Sequence, residues 1–206
     1  MNLYEERILP HLINAACTSP PIQKLRKRIV PKCTGRVLEI GMGSGANLEF
    51  YNSKNIDFVW GLEPSEGMRR KAAAKVAKSD IEVKWLDLPG EEIPLEDDCV
   101  DTILLTFTLC TIPDYHKALQ QMHRVLKPEG KLLFSEHGLA PEPKVEKWQH
   151  RLNKPWGCVA GGCNLNRPID KLIQAGGFEI VMIERFYAPK APKFAGYIYL
   201  GEARKL

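Results

Sequence analysis

The pattern of apolar and polar positions along the chain changes character at Pro31. Before it, apolar residues recur at helical spacing. Residues 2–17 place Leu3, Ile8, Leu12 and Ile13 near one face and predict an amphipathic helix. Ser19-Pro20-Pro21 interrupts it, and residues 22–30 predict a second helix carrying Lys24, Arg26, Lys27 and Arg28. After Pro31, short apolar runs alternate with helical patterns. Residues 36–40, 57–62, 81–86, 100–106 and 131–136 read as strands, and 46–51, 65–78 and 114–126 as helices. Such alternation predicts an α/β fold, a mostly parallel sheet with right-handed crossovers and helices on both faces, that is, a three-layer sandwich.

The last third departs from this rhythm. Arg167-Pro168 starts a short helix that stops at Gly176-Gly177. Two strands follow, at 178–186 and 194–202, joined by a proline-containing loop. They form a hairpin, so the last strand should run antiparallel. Residues 137–166 are proline-rich and aromatic and read as a helical cap over a site. The 206 residues suit a single domain, 1–206, with 1–34 as an N-terminal helical lid and 137–166 as a cap insertion.

Composition narrows the partners. The net charge of +4 shows no basic stripe, so no nucleic-acid partner is expected. No apolar run reaches the length of a membrane span. The start of the chain carries Glu5, Glu6 and Arg7 rather than a secretory apolar core, so a cytoplasmic location is expected. The basic run at 24–28 could touch anionic lipid, but a solvated helix face is favoured. Cysteines at 17, 33, 99, 110, 158 and 163 form no C-x-x-C pair. Reduced thiols and no metal site are the expectation.

The chemistry concentrates in Glu39-Ile40-Gly41-Met42-Gly43-Ser44-Gly45, at the end of the first strand. Gly41, Gly43 and Gly45 let the backbone turn sharply and approach a ligand closely. Gly41, Gly43 and Ala46 also satisfy the dinucleotide pattern G-x-G-x-x-G/A, so the loop alone is ambiguous. Glu39 favours a cationic ligand: it would repel phosphates, but it can organise the loop and meet an ammonium group. Glu63 ends the second strand, where a carboxylate can accept both hydroxyls of a ribose. Pro64 and Met68 would lie beside the nucleoside, and Gly90 and Glu91 along its base. Glu91 reads equally well as a solvated loop charge.

These motifs, together with Cys99-Val100-Asp101 and Val125-Leu126-Lys127-Pro128-Glu129-Gly130, resemble the class I S-adenosylmethionine-dependent methyltransferases over about residues 36–204. The resemblance implies a seven-stranded sheet of order 3-2-1-4-5-7-6 with strand 7 antiparallel. It also implies S-adenosylmethionine at the carboxyl ends of strands one to four, where Thr106 and Leu109 join the candidate set. A narrower similarity rests on Thr108-Leu109-Cys110, Glu136-His137, Trp148-Gln149, Pro155-Trp156 and Gly162-Cys163-Asn164-Leu165-Asn166-Arg167. These look like the branch that includes vertebrate alkyl-thiol S-methyltransferases, which is similar in turn to quinone C-methyltransferases and phosphatidylethanolamine N-methyltransferases. The chain departs from the vertebrate members in lacking their long apolar N-terminal anchor, so peripheral membrane contact is not favoured.

A small-molecule methyl acceptor is therefore expected, a thiol first, with a phospholipid head group or a quinone as alternatives. A pyridine-nucleotide oxidoreductase is disfavoured by Glu39 and by the missing second mononucleotide half. A non-catalytic cofactor-binding module is the remaining reading. His137 follows strand five and could take the acceptor's proton, with Glu136 orienting it, or could be a packed structural residue. Tyr4 and His11 could close a lid. Trp148 and Trp156 could wall the acceptor or simply form cap core, and Arg167 could anchor the cap or read an anionic substrate.

Overall fold

A computed structural model describes residues 17–206. Most of the expected first helix, with Tyr4 and His11, lies outside them. Seven strands form one sheet: β1 (Gly35–Ile40), β2 (Ile56–Leu62), β3 (Val83–Leu86), β4 (Val100–Thr106), β5 (Leu126–His137), β6 (Phe178–Tyr187) and β7 (Tyr197–Lys205). Their order is β3-β2-β1-β4-β5-β7-β6. The first five strands pair parallel, and β7 runs antiparallel to both of its neighbours. The α/β architecture is the one expected from the sequence, and the strand order is the one the family resemblance implies.

Alternation along the strands separates two cores. Leu38, Ile40, Ile103, Leu105, Leu132 and Phe134 point to one face, where Leu119 and Met122 of α3 (Tyr115–Val125) and Ile169 and Ile173 of α5 (Ile169–Ala175) cover them. Val37, Leu104, Leu133, Ile198 and Leu200 point to the other, covered by Leu25 and Ile29 of α1 (Pro20–Ile29) and flanked by Val76 of α2 (Glu66–Val76). All of these strand and helix residues except Val76 are under 9 % exposed, so both faces of the sheet are buried, as parallel sheets require. Among the described residues no helix is long and apolar enough to cross a membrane.

Three boundaries differ from the sequence reading. Residues 46–51 form no α-helix, only a 3-10 turn at Leu48–Phe50. Asn47 sends its side chain inward to bond Glu39 and Thr106, and Gly45 adopts φ +68°; both favour a turn over a helix. β5 begins at Leu126, because Leu126 already pairs with Val100 before a register shift carries the ladder on at Thr102 and Lys131. β7 begins at Tyr197, because residues 192–195 close a turn from Ala195 N–H to the Pro192 carbonyl. The cap is one helix, α4 (Pro143–Val159), followed by a loop to α5.

Candidate functional site

Two cavities open at the carboxyl ends of β1, β4 and β5, and Thr111 lines both. The first, about 210 Å³, lies between the glycine loop and the loops after β2 and β3; Gly41, Glu63, Pro64, Gly90 and Glu91 border it. Gly43 has φ +58°, its N–H donates to Glu63 Oε2 at 2.9 Å, and a Cβ there would meet Met68 Cε at 3.3 Å. Gly41 has φ +68°, and a Cβ there would fall 2.5 Å from the Thr108 side chain. The second glutamate oxygen accepts from Ser65 N–H at 2.9 Å. A carboxylate has about four acceptor positions. Glu63 therefore keeps capacity for ligand hydroxyls after fixing both the glycine loop and the start of α2. Burial pushes its carboxyl above the ordinary glutamate value, against the bonds from Ser65 and Gly43.

Glu39 stands beneath this loop rather than at the cavity wall. It is 1 % exposed; one oxygen accepts from Asn47 Nδ2 at 2.8 Å and the other from the Tyr51 hydroxyl at 2.7 Å. Arg26 completes the network, donating to Asn47 Oδ1 at 2.6 Å and Thr106 Oγ1 at 2.8 Å. Burial raises the Glu39 carboxyl above its usual range, and the Tyr51 hydroxyl and Arg26 charge work against the rise. Of the two roles expected of Glu39, organising the loop and meeting an ammonium group, these bonds serve the first. Arg26, expected on a solvated face, is 4 % exposed. Thr106 belongs to the same network, not to the cavity wall.

Leu109 is likewise corrected. It is fully buried, its N–H donates to Glu136 Oε1 at 3.1 Å, and its carbonyl accepts from Arg167. Other residues of that loop do face the cavities: Thr108, Ile112 and Pro113 the first, Phe107 (φ +58°) and Cys110 the second, and Thr111 both. Glu91 borders the first cavity while accepting from Asp114 N–H at 3.1 Å.

The second cavity, about 220 Å³, is walled by apolar side chains from five separate segments. Cys17 and Ile22 come from the start of the described chain, Phe107 and Cys110 from the β4 loop, and His137 from the end of β5. Trp156 and Cys163 come from the cap, and Ala188 to Gly196 from the β6–β7 loop. The last group was missed, because its small residues carry no chemical signal in the sequence. Trp148, 55 % exposed, is not a wall residue; Trp156 is. Gln149 is fully buried and fastens the cap, accepting from Ala140 N–H and donating to the carbonyls of Gly138 and Phe194. Arg167 secures its far end, donating to the Ile112 carbonyl at 2.8 Å and stacking 4.7 Å from the Tyr115 ring. It anchors the cap; it does not line either cavity.

At the floor of this second cavity, His137 Nε2 lies 3.0 Å from Cys163 Sγ, which lies 3.7 Å from Cys110 Sγ. The Cys110 contact and burial push the Cys163 thiol far up, so the thiol form is the stable one. Burial opposes the charged form of His137, but the bond to Cys163 and then the Glu136 carboxylate favour it, and the imidazole lies above its ordinary value. Glu136 does not orient that imidazole. Its oxygens accept the N–H groups of Thr108, Leu109 and Cys110 and so shape the β4 loop. His137 Nδ1 and Trp156 Nε1 are buried without a partner, two polar atoms in otherwise apolar walls.

The methyltransferase-domain family profile matches residues 38–134. The chain is 31% identical over 174 residues to thiol S-methyltransferase TMT1B of Homo sapiens, covering 82% of this chain and 70% of that protein. It is 32% identical to thiol S-methyltransferase TMT1B of Rattus norvegicus, over 72% of this chain and 62% of the relative, so it spans less than two thirds of that protein. Among solved structures, a SAM-dependent methyltransferase of Thermotoga maritima, described as a possible histamine N-methyltransferase, superposes with a TM-score of 0.67 at 19% identity. That match covers 98% of this chain and 97% of the other and shows the fold. The glycine loop, the Glu63 carboxylate and these likenesses agree: the chain belongs to the class I S-adenosylmethionine-dependent methyltransferases.

Proposed function

We propose that the protein methylates a small, soft acceptor, with a thiol as the favoured class, and that it works in the cytoplasm without a nucleic-acid or membrane partner. The carrying observation is that two chemically different cavities share Thr111. One offers a carboxylate and tight backbone, the other a nearly apolar wall around sulfur and imidazole. S-adenosylmethionine supplies an electrophilic methyl group on a sulfonium centre.

The chain's own task is to align two partners and exclude water. Glu63 would accept the ribose hydroxyls at its free positions, and Pro64, Gly90 and Glu91 would border the base. Glu39, Asn47 and Arg26 hold the loop rigid from below. Trp156 and the alanines of the β6–β7 loop take the apolar body of the acceptor. His137 is the group in that cavity able to accept a proton; a thiol, with a pKa of about 8.5, needs only modest help. The names of the relatives support a thiol acceptor.

The test is a screen of alkyl thiols, quinols and phospholipid head groups with a labelled methyl donor. Labelling confined to thiols is expected. Labelling confined to quinols or head groups would replace the acceptor class. Cofactor binding without transfer to any of them would favour a non-catalytic module.

A further inference from the structure

We propose that Cys110, His137 and Cys163 form a three-ligand site for a soft divalent cation of the zinc class, open to the acceptor cavity at its fourth position. The ligating atoms of these three residues all lie within 4.8 Å of one another. All three residues line the second cavity. The Cys110–Cys163 separation of 3.7 Å equals the edge of a tetrahedron with metal–sulfur bonds of about 2.3 Å. The His137–Cys163 edge, 3.0 Å, has to open by roughly half an ångström to match metal–nitrogen bonds of about 2.0–2.1 Å. Two thiolates and an imidazole select zinc over magnesium or calcium.

The backbone that carries the ligands is fixed by hydrogen bonds between the β4 loop and the cap. The Cys110 carbonyl accepts both the Asn164 N–H at 2.9 Å and its side-chain amide at 3.1 Å. Asn153 bridges Asn164 Oδ1 and Leu165 N–H, tying the cap helix to the same turn. His137 is the last residue of β5, held in register opposite Ile198. The sites of all three ligands are thus preorganised by different elements.

Coordination displaces the two thiol protons to water and leaves His137 protonated at Nδ1. Three protein ligands with one open position are the arrangement of catalytic rather than structural zinc. An acceptor thiol entering that position would lose its proton to water and bind as the thiolate, so that with the metal bound His137 serves as a ligand and the metal's hold on the thiolate takes over from the proton-accepting role given to that imidazole above. This second step rests on the thiol reading above; metal binding does not.

The experiment starts with the full chain, reduced and stripped with chelator, then given one equivalent of zinc and desalted. One zinc per chain is expected by elemental analysis. Cobalt alone should give thiolate-to-metal charge-transfer bands and the intense visible bands of a four-coordinate ion. Cys163→Ser should weaken zinc binding by about 100-fold or more, and Cys158→Ser, an exposed cysteine outside the cluster, should leave it unchanged. Removing the metal should leave S-adenosylmethionine affinity intact while abolishing thiol methylation, and zinc should restore it. Wild type that retains no more zinc than Cys163→Ser, or that gives a cobalt spectrum without thiolate bands, would overturn the site. Full thiol turnover in the stripped enzyme would overturn its role. If quinols but no thiols are methylated, the acceptor reading falls while the zinc and cobalt readouts still judge the site.

Discussion

The two cavities are built by opposite means. The side proposed for the cofactor uses backbone and a few carboxylates close together in sequence: the glycine loop directly follows β1, and Glu63 directly follows β2. The side proposed for the acceptor uses side chains from five segments that meet only after folding. A recurring ligand can be held by a short local motif, whereas a particular acceptor needs a wall assembled from afar. Arg26 joins the two. Its guanidinium supports the floor under the glycine loop and lies 5.9 Å from the ring of Phe107, which borders the acceptor cavity.

Arg26→Met is the largest expected disturbance to that division. It leaves the Glu39 carboxylate buried without its neighbouring cation, and such losses cost about 3–5 kcal/mol. Chemical denaturation should show the drop, and adding Glu39→Gln should recover part of it. No recovery in the double variant would remove Glu39 as the reason.

Gly43→Val should come next, and should affect one side alone. A β-branched residue at positive φ is strained, and its side chain would occupy the cofactor cradle. S-adenosylmethionine affinity should fall by about 100-fold or more, ~2.8 kcal/mol, by calorimetry on a variant whose circular dichroism is unchanged. Retained affinity would move the cofactor away from this loop.

Glu63→Ala should weaken cofactor binding by about 10- to 100-fold, through loss of charge-assisted bonds of roughly 1.5–3 kcal/mol. The ionised carboxylate is the form that accepts hydroxyls, and its pKa lies above the ordinary value. Affinity should therefore begin to fall on acidification at a pH above the usual glutamate range near about 4.3, and Glu63→Gln should flatten that limb. An identical pH profile in both proteins would assign the limb to another group.

Gln149→Ala should have the smallest effect, and on the other side. It strands one buried N–H and two carbonyls, costing about 1–3 kcal/mol. The acceptor KM should rise several-fold while cofactor affinity stays constant. Parallel changes in both constants would mean that the two cavities are not separately supported.

The same contrast explains what was legible in the sequence. The alternation of strands and helices was readable from apolar runs, and the glycine loop and Glu63 from a contiguous motif, whereas the strand order came only with the family resemblance those motifs carry. The inward turn of Arg26 was not, since a lysine- and arginine-rich helix looks solvated until a buried Glu39 and Asn47 require a partner. Leu109 was misplaced because strand-end position does not specify which way the following loop turns; Glu136 decides that by collecting three N–H groups. Cys110, His137 and Cys163 carry no shared spacing signature, being 27 and 26 residues apart. Only the return of the cap onto the β4 loop unites them.

The most direct measurement is the structure of the protein co-crystallised with S-adenosylhomocysteine and an alkyl thiol. The account predicts ribose hydroxyls on Glu63, the base beside Gly90, and the thiol sulfur in the cavity of His137 and Trp156, with Thr111 between the two ligands. Density for the adenosyl group in the cap cavity, or for the thiol outside it, would contradict the account.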